Sequence, residues 1–287
     1  MIGTSSNPRL RRRKFVSAAF RGLCAVTTFL VIVALFALIY DLVLAGMPWL
    51  DMQFLSSFPS RFPELAGIKS ALFGSLWLIG LTVLFAVPTG VLAAVYMEEY
   101  SPQNRFTRII ELNIANLAGV PSIVYGILGL ALFVRFFALE RSLLAGALTM
   151  SLLMLPVIII AARESIRAVP ASLREAAYGL GATRWQVVHA HVLPMALPGI
   201  LTGIILSLSR AIGETAPLIV MGALTYVAFV PEGPMDAFTT LPIQIFNWTA
   251  RPQEAFHGLA AAGILVLLGI LLLMNSVALA IRHWGSK

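Results

Sequence analysis

Five stretches of this chain run for 19 to 28 residues without an Asp, Glu, Lys or Arg: 22–40, 70–97, 112–134, 142–162 and 255–281. A helix needs about 20 consecutive apolar residues to cross the hydrocarbon core of a bilayer, where the backbone must satisfy its own hydrogen bonds. Each stretch therefore reads as a membrane span. A further block, 195–231, is interrupted by Arg210 and Glu214; its 37 residues are too many for one span and too few for two joined by a turn. It reads as one helix followed by an external segment. The expected fold is all-α, a polytopic bundle of six transmembrane helices. Composition agrees, with 59% hydrophobic residues, 11% charged residues and a mean hydropathy of +0.89, far from soluble usage and without a separable polar domain.

The net charge of +7 is not gathered on a nucleic-acid-binding face. Arg9, Arg11, Arg12, Arg13, Lys14 and Arg21 precede the first span, which places the N-terminus in the cytoplasm by the positive-inside rule. Six spans return the C-terminus to the same side. The same alternation puts Arg163, Arg167, Arg174 and Arg184 in a cytoplasmic loop, whereas residues 224–254 carry Arg251 as their one Lys or Arg and fall outside. The charges of "EEYSPQNRFTR" are mixed and add little. The expected organisation is a basic N-terminal segment 1–21, a membrane domain 22–281 containing the cytoplasmic loop 163–194, and a cytoplasmic tail 282–287. The first span follows a basic stretch like that of a signal peptide, but it is too long for one and lacks a small-residue cleavage site, so it is expected to stay. A lone Cys24 forms no intrachain disulfide, and the four histidines are too dispersed for a metal site. No nucleophile, base and orienting group cluster as a hydrolytic site would require, so the chain is not expected to be an enzyme.

The loop reads "SLREAAYGLGATRWQVVHAHVLP". Ser172 with Glu175, and Thr183 with Gln186, have the spacing of two capping boxes, separated by Gly179 and Gly181, which suit a helix stop. Two short helices meeting at a glycine corner are expected. Leu173, Ala176, Ala177 and Leu180 would line one face, and Trp185, Val188 and Val192 another. Such faces either pack beneath their own bundle or receive a partner. A second unusual stretch is "SRAIGETAPL", residues 209–218. An ionisable side chain within a span costs about 2.5 to 3.5 kcal/mol on insertion scales, so Arg210 calls for a polar partner. Glu214, four residues on, shares its helix face. Pro217 lacks an N–H, so the helix should kink or break there, and a half-helix starting near Thr215 would direct free amides inward. Arginine, the hydroxyls of Ser209 and Thr215 and a helix start together suit an oxyanion, and the bland alternative is an ion pair that only neutralises a buried arginine. Asn113, Asn116, Ser122 and Tyr125 form a polar stripe on the third span, with Gly119 and Pro121 bending it; interhelical packing is their expected role.

Glu175, Ala176, Ala177, Gly181, Leu193 and Pro194 stand in the register of the EAA motif of ABC importer permeases, with His191 where that family usually has isoleucine. The segments "NLAGVPSIVYGILGL", "SLLAGALT", "VPASLREAAYGLGATRWQ" and "LPGILTGIILSLSRAIGETAPL" resemble the PstA-type permeases of phosphate-specific ABC importers. The resemblance implies a type I, MetI-like permease bundle in a bacterial cytoplasmic membrane, forming half of a phosphate pathway. It implies that Arg210, Glu214, Ser209 and Thr215 serve that pathway, and that Glu175, Ala176, Ala177, Gly181, Leu193 and Pro194 couple to an ATPase. Its implied partners are a PstC-like second permease, two PstB-like ATPase subunits and a PstS-like extracytoplasmic phosphate-binding protein. No Gly-Lys dipeptide occurs, so the chain has no Walker A loop, and ATP and Mg are expected on the partner ATPase. The nearest alternatives are an importer of phosphonate, sulfate or molybdate, and an ion-coupled secondary transporter acting alone.

The orientation is testable by itself. A Cys24→Ser, Ser172→Cys variant should react with a membrane-impermeant thiol reagent in inside-out vesicles and stay unlabelled in intact cells; labelling of intact cells would invert the topology.

Overall fold

The computed structural model describes residues 8–102, 104–223 and 226–285. Residues 1–7 of the expected N-terminal segment and 286–287 of the expected C-terminal tail thus lie outside the described residues. The described parts of both are helical and continue the neighbouring spans. Helix α1 covers Pro8–Gly46 and α12 covers Glu254–Gly285. Between them lie α2 (Met52–Ser56), α3 (Lys69–Val95), α4 (Arg105–Ala118), α5 (Ser122–Gly129), α6 (Leu143–Arg167), α7 (Ala171–Gly179), α8 (Arg184–Val187), α9 (Leu193–Ile212), α10 (Ala216–Met221) and α11 (Leu241–Thr249). The described residues hold no strand ladder, only an isolated bridge between Ser142 and Ala237.

Among the described residues, five helices are long and apolar enough to cross a membrane by themselves, and α4 with α5 makes a sixth if taken as one bent span. The third expected span, 112–134, is therefore not a continuous rod. Its two halves meet at 102° around Gly119 and Pro121. The physical reason is local: Pro121 cannot donate to a preceding carbonyl, and its φ of −55° with an extended ψ of 136° starts α5 in a new direction.

Helix α6 is the post around which the rest is arranged. Two thirds of its apolar window, 67%, is buried within this chain, against 0% for α1. Ala86 of α3 packs on Met154 and Ile158 of α6, and the Ser151 hydroxyl reaches the Thr82 carbonyl at 3.4 Å across the same seam. On another face Ala162 and Ile166 pack with Val192, Ala196 and Ile200. Small side chains and returned hydroxyls allow this closeness, as usual between membrane helices. Helix α1 touches the bundle chiefly through α12, where Gly46 abuts Ala261 and Ala262, and otherwise exposes its apolar surface.

One end of the bundle is closed by the segment between α1 and α3 together with α11. Phe54, Ile68, Leu241, Trp248 and Phe256 form its core, and Asp51 caps α2 by accepting from the Phe54 N–H at 2.7 Å. The other end carries the α6–α7 loop. Helix α7 starts one residue before Ser172, with Pro170 at the cap position and no side-chain cap, so the expected Ser172–Glu175 capping box does not form. Pro170 already has the extended backbone that a cap requires, which leaves Ser172 inside the first turn. The Thr183–Gln186 box does form. It does not start a separate short helix: α8, a π-helical turn over Val188–Val192 and α9 run on as one helix from Arg184 to Ile212.

The bent third span meets the broken fifth one at α5 and α10. Gly126 lies so close to Pro217 that a Cβ there would stand 2.7 Å from the Pro217 Cα and carbonyl oxygen, neither of which can swing aside. Gly126→Val should therefore destabilise the folded protein by about 1 to 3 kcal/mol through overpacking. Gly80→Val, which adds its methyls to open space, should be near neutral. Thermal melting of both variants in detergent measures the difference, and equal melting would refute this contact.

Candidate functional site

Helix α9 ends at Ile212, and α10 begins at Ala216, so the helix breaks just before Pro217 as its missing N–H requires. Arg210 sits in the last turn of α9 and Glu214 in the break. Arg210 Nε lies 3.5 Å from Glu214 Oε1, a loose pair that leaves the guanidinium 63% exposed and the carboxylate 18% exposed. Both line a cavity of about 200 Å³ with Ala118, Leu153, Met154 and Leu206. Met154 is eleven residues from the start of α6 and thirteen from its end, so the cavity lies at about mid-depth, some 17 to 20 Å from either end at about 1.5 Å per residue. Ala118 is the last residue of α4, so the cavity is also bounded by the break in the third span.

The four residues that the sequence grouped here separate in the structure. Arg210 and Glu214 share the cavity. Ser209 points the other way, with its hydroxyl 2.6 Å from Asn275 Oδ1 on α12 and 2.8 Å from the Ile205 carbonyl. Successive residues of a helix lie about 100° apart, which is why adjacent Ser209 and Arg210 face different neighbours. Thr215 is not around the cavity; its hydroxyl stands 3.5 Å from the Gly213 carbonyl. The expected half-helix shrinks to the six residues of α10, and its buried Pro217 lies against Gly126 rather than the opening. Ser207 does border the cavity, but it returns its hydroxyl to the Gly203 carbonyl at 2.9 Å. The Asn116 and Tyr125 stripe does not gather into a site either, since the 102° bend lies between them, and Tyr125 donates to the Leu117 carbonyl at 2.8 Å.

The loop residues also divide. Gly181 has a φ of +82°, the left-handed turn that a side chain would strain, and it forms the corner. Ala177 is buried against the bundle with Val187 and Val188, and Leu193 is partly buried beside them. Glu175, Ala176 and Pro194 are exposed. The expected apolar face of α7 is thus split: Leu173 and Ala177 face inward while Leu180, 91% exposed, projects from the corner. Trp185 also faces outward, stacked on His189 at 5.5 Å between ring centroids.

The main feature passed over in the sequence is a set of ion pairs under this loop. Arg163 on α6 binds Glu98 at 3.2 Å and Glu111 at 2.7 Å, and Arg167 joins Glu98 at 2.9 Å. Arg174 on α7 binds Glu99 at 2.7 Å. The signal available was the Glu98–Glu99 doublet at the end of an apolar run, opposite arginines spaced i, i+4 after another. Its mixed charge made it look like an ordinary solvated turn.

The chain as a whole is similar to known proteins. The family described as "Binding-protein-dependent transport system inner membrane component" matches residues 86–284. The phosphate transport system permease protein PstA of Haemophilus influenzae is 31% identical over 272 residues, covering 95% of each chain. PstA 1 of Mycobacterium tuberculosis is 35% identical over 233 residues, covering 80% of this chain and 74% of its own. The probable ABC transporter permease protein YqgI of Bacillus subtilis is 33% identical over 269 residues, covering 90% of each. Among solved structures, a bacterial ABC transporter that imports the acidic polysaccharide alginate superposes with a TM-score of 0.66 at 18% identity, over 97% of this chain and 100% of that one. The inward-facing methionine transporter MetNI gives 0.58 at 18% identity, over 77% and 95%. The fold is that of the MetI-like ABC importer permeases.

The Ser209–Asn275 contact is worth testing as packing. A double-mutant cycle of Ser209→Ala and Asn275→Ala should return a coupling of about 0.6 kcal/mol in melting experiments, the usual size for hydrogen bonds between membrane helices. Zero coupling would remove the contact.

Proposed function

The chain belongs to the family of binding-protein-dependent transport system inner membrane components, and from that membership we propose that it forms half of the membrane pathway of an ATP-driven importer of inorganic phosphate. It is a transport subunit and not an enzyme. The relatives named as phosphate transport permeases support the substrate. The observation that carries the reading is the guanidinium of Arg210, 63% exposed at mid-depth of the bundle. An arginine facing lipid there would be costly, so the face bearing it belongs against a hydrated path that a second, related permease closes from the other side.

The chemistry follows from the pair. The planar fork of Arg210 presents parallel donors to two phosphate oxygens, which a lysine ammonium does not. Glu214, 3.5 Å away, keeps the site from holding an anion too tightly, as a conducting path requires. The substrate would be delivered from outside by a phosphate-binding protein. ATP and Mg would be held by two separate ATPase subunits. Leu180 and Trp185, apolar and outward at the loop corner, supply a surface for such a subunit, and a transporter acting alone has no use for it. Both termini are assigned to the cytoplasm on the arginine distribution.

Two variants separate a substrate role from a structural one. Arg210→Lys should insert normally and transport phosphate at least about tenfold more slowly, the scale of losing one hydrogen bond to a charged group. Arg210→Gln with Glu214→Gln removes both charges, so neither is left without its counter-charge. It should reach the membrane at normal levels and take up no phosphate. Near-normal uptake by the double variant would make the pair structural, and competition by sulfate equal to that by phosphate would reassign the substrate.

A further inference from the structure

Helix α3 does not stop as an α-helix. It opens into a π-helical turn over Tyr96–Tyr100, which carries Glu98 and Glu99 side by side. Being adjacent on a helical turn, the two carboxylates face different partners. Glu99 is buried and receives Arg174 of α7, through Nε at 3.1 Å and Nη2 at 2.7 Å on the same oxygen. The remaining donors of Arg174 reach the Val169 carbonyl at 2.7 Å and the Ile166 carbonyl at 2.9 Å. Ile166 is in the last turn of α6 and Val169 lies two residues beyond its end, where helix carbonyls run short of intrahelical donors. One guanidinium therefore fastens α7 to the ends of two spans. A second contact from the same loop reinforces it, since Arg184 of α8 lies over the Tyr100 ring at 5.3 Å.

Glu98 faces α6 instead. Arg163 bridges Glu98 to Glu111 of α4, with its side chain 11% exposed and that of Glu98 12% exposed. Breaking a shielded pair of this kind is costly, because removing one partner strands a charge. The consequence lies along α4. From Glu111 this helix runs two turns to Ala118, which borders the cavity of Arg210 and Glu214. Two sets of ion pairs, joined by the backbone between the adjacent Glu98 and Glu99, together with α4 thus connect α7 to the cavity.

We propose that Arg174 and Glu99 are positioning residues for transport, which tie the α7 loop to the end of α3 so that movement of the loop reaches α4 and the Arg210 cavity through Glu98, Arg163 and Glu111. The proposal rests on the reading that an ATPase docks on this loop. Neither residue touches the anion. Their role is to make the loop and the spans move as one body.

The test uses the assembled transporter in proteoliposomes, with Cys24→Ser and Ala118→Cys as a reporter at the cavity. The reporter's labelling rate by a small thiol reagent is measured with and without ATP, next to ATPase copurification and phosphate uptake. With the link intact, ATP should change the labelling rate by about tenfold, as a shift between two populated states does. In Glu99→Gln and Arg174→Lys the ATPase should still copurify and hydrolyse ATP, while the labelling rate no longer responds. An equal ATP response with and without the link would overturn the proposal, as would no response with the link intact. Loss of the ATPase from both variants would also overturn it, by showing a merely structural role. The substrate reading fails separately: labelling would respond to ATP in the unmodified link while phosphate uptake stayed absent.

Discussion

The packing of α5 against α10 is the interaction on which the arrangement around the cavity depends. Each follows a helix break, at 119–121 and 213–215, and a break leaves backbone groups without helical partners. In hydrocarbon such groups are tolerable only where protein or water covers them. Placing the two broken spans together, with Gly126 against Pro217, shields one irregular stretch with the other. It also brings the ends of α4 and α9 to the same level, and the cavity opens between those ends and the middle of α6. A straight third span and an unbroken fifth would fill that space with side chains.

The charges are organised in two different ways at the two places where they occur. At mid-depth, Arg210 and Glu214 are a loose pair with an exposed guanidinium, which leaves hydrogen-bonding capacity for something else. Below the loop, Arg163 gives its Nη2 to Glu98 and Glu111, and Arg174 gives its donors to Glu99 and the carbonyls of Ile166 and Val169. The first arrangement is open and the second closed. The same residue type keeps donors open in one place and ties helices together in the other, and what distinguishes the two is how many acceptors surround the guanidinium.

The spans were legible because their signal is additive: about 20 apolar residues in a row leave few alternatives. The break before Pro217 was legible because a proline removes a specific hydrogen bond, and the Gly181 corner because its φ of +82° favours glycine. The Thr183–Gln186 cap formed, whereas the identical spacing at Ser172 and Glu175 did not, because Pro170 upstream had already started the helix. A local motif thus predicts a helix start only where no stronger one precedes it. The hydroxyls around Arg210 were misread for a related reason: Ser209 is next to it in sequence but about a third of a turn away in direction, and it meets Asn275.

What the sequence alone determined is the content of the chain: its spans, its breakpoints, its basic loop and the placing of one arginine and one glutamate within a membrane segment. These follow from hydropathy and from the backbone chemistry of proline and glycine, which act over a few residues. Which charges meet was decided only by the tertiary structure. Glu99 finds Arg174 across 75 residues of chain, and Glu98 finds Arg163 across 65, since neighbouring carboxylates on one helical turn face different helices. Nothing in the spacing of those charges encodes that choice, because an ion pair depends on distance in space, and packing around α6 sets that distance.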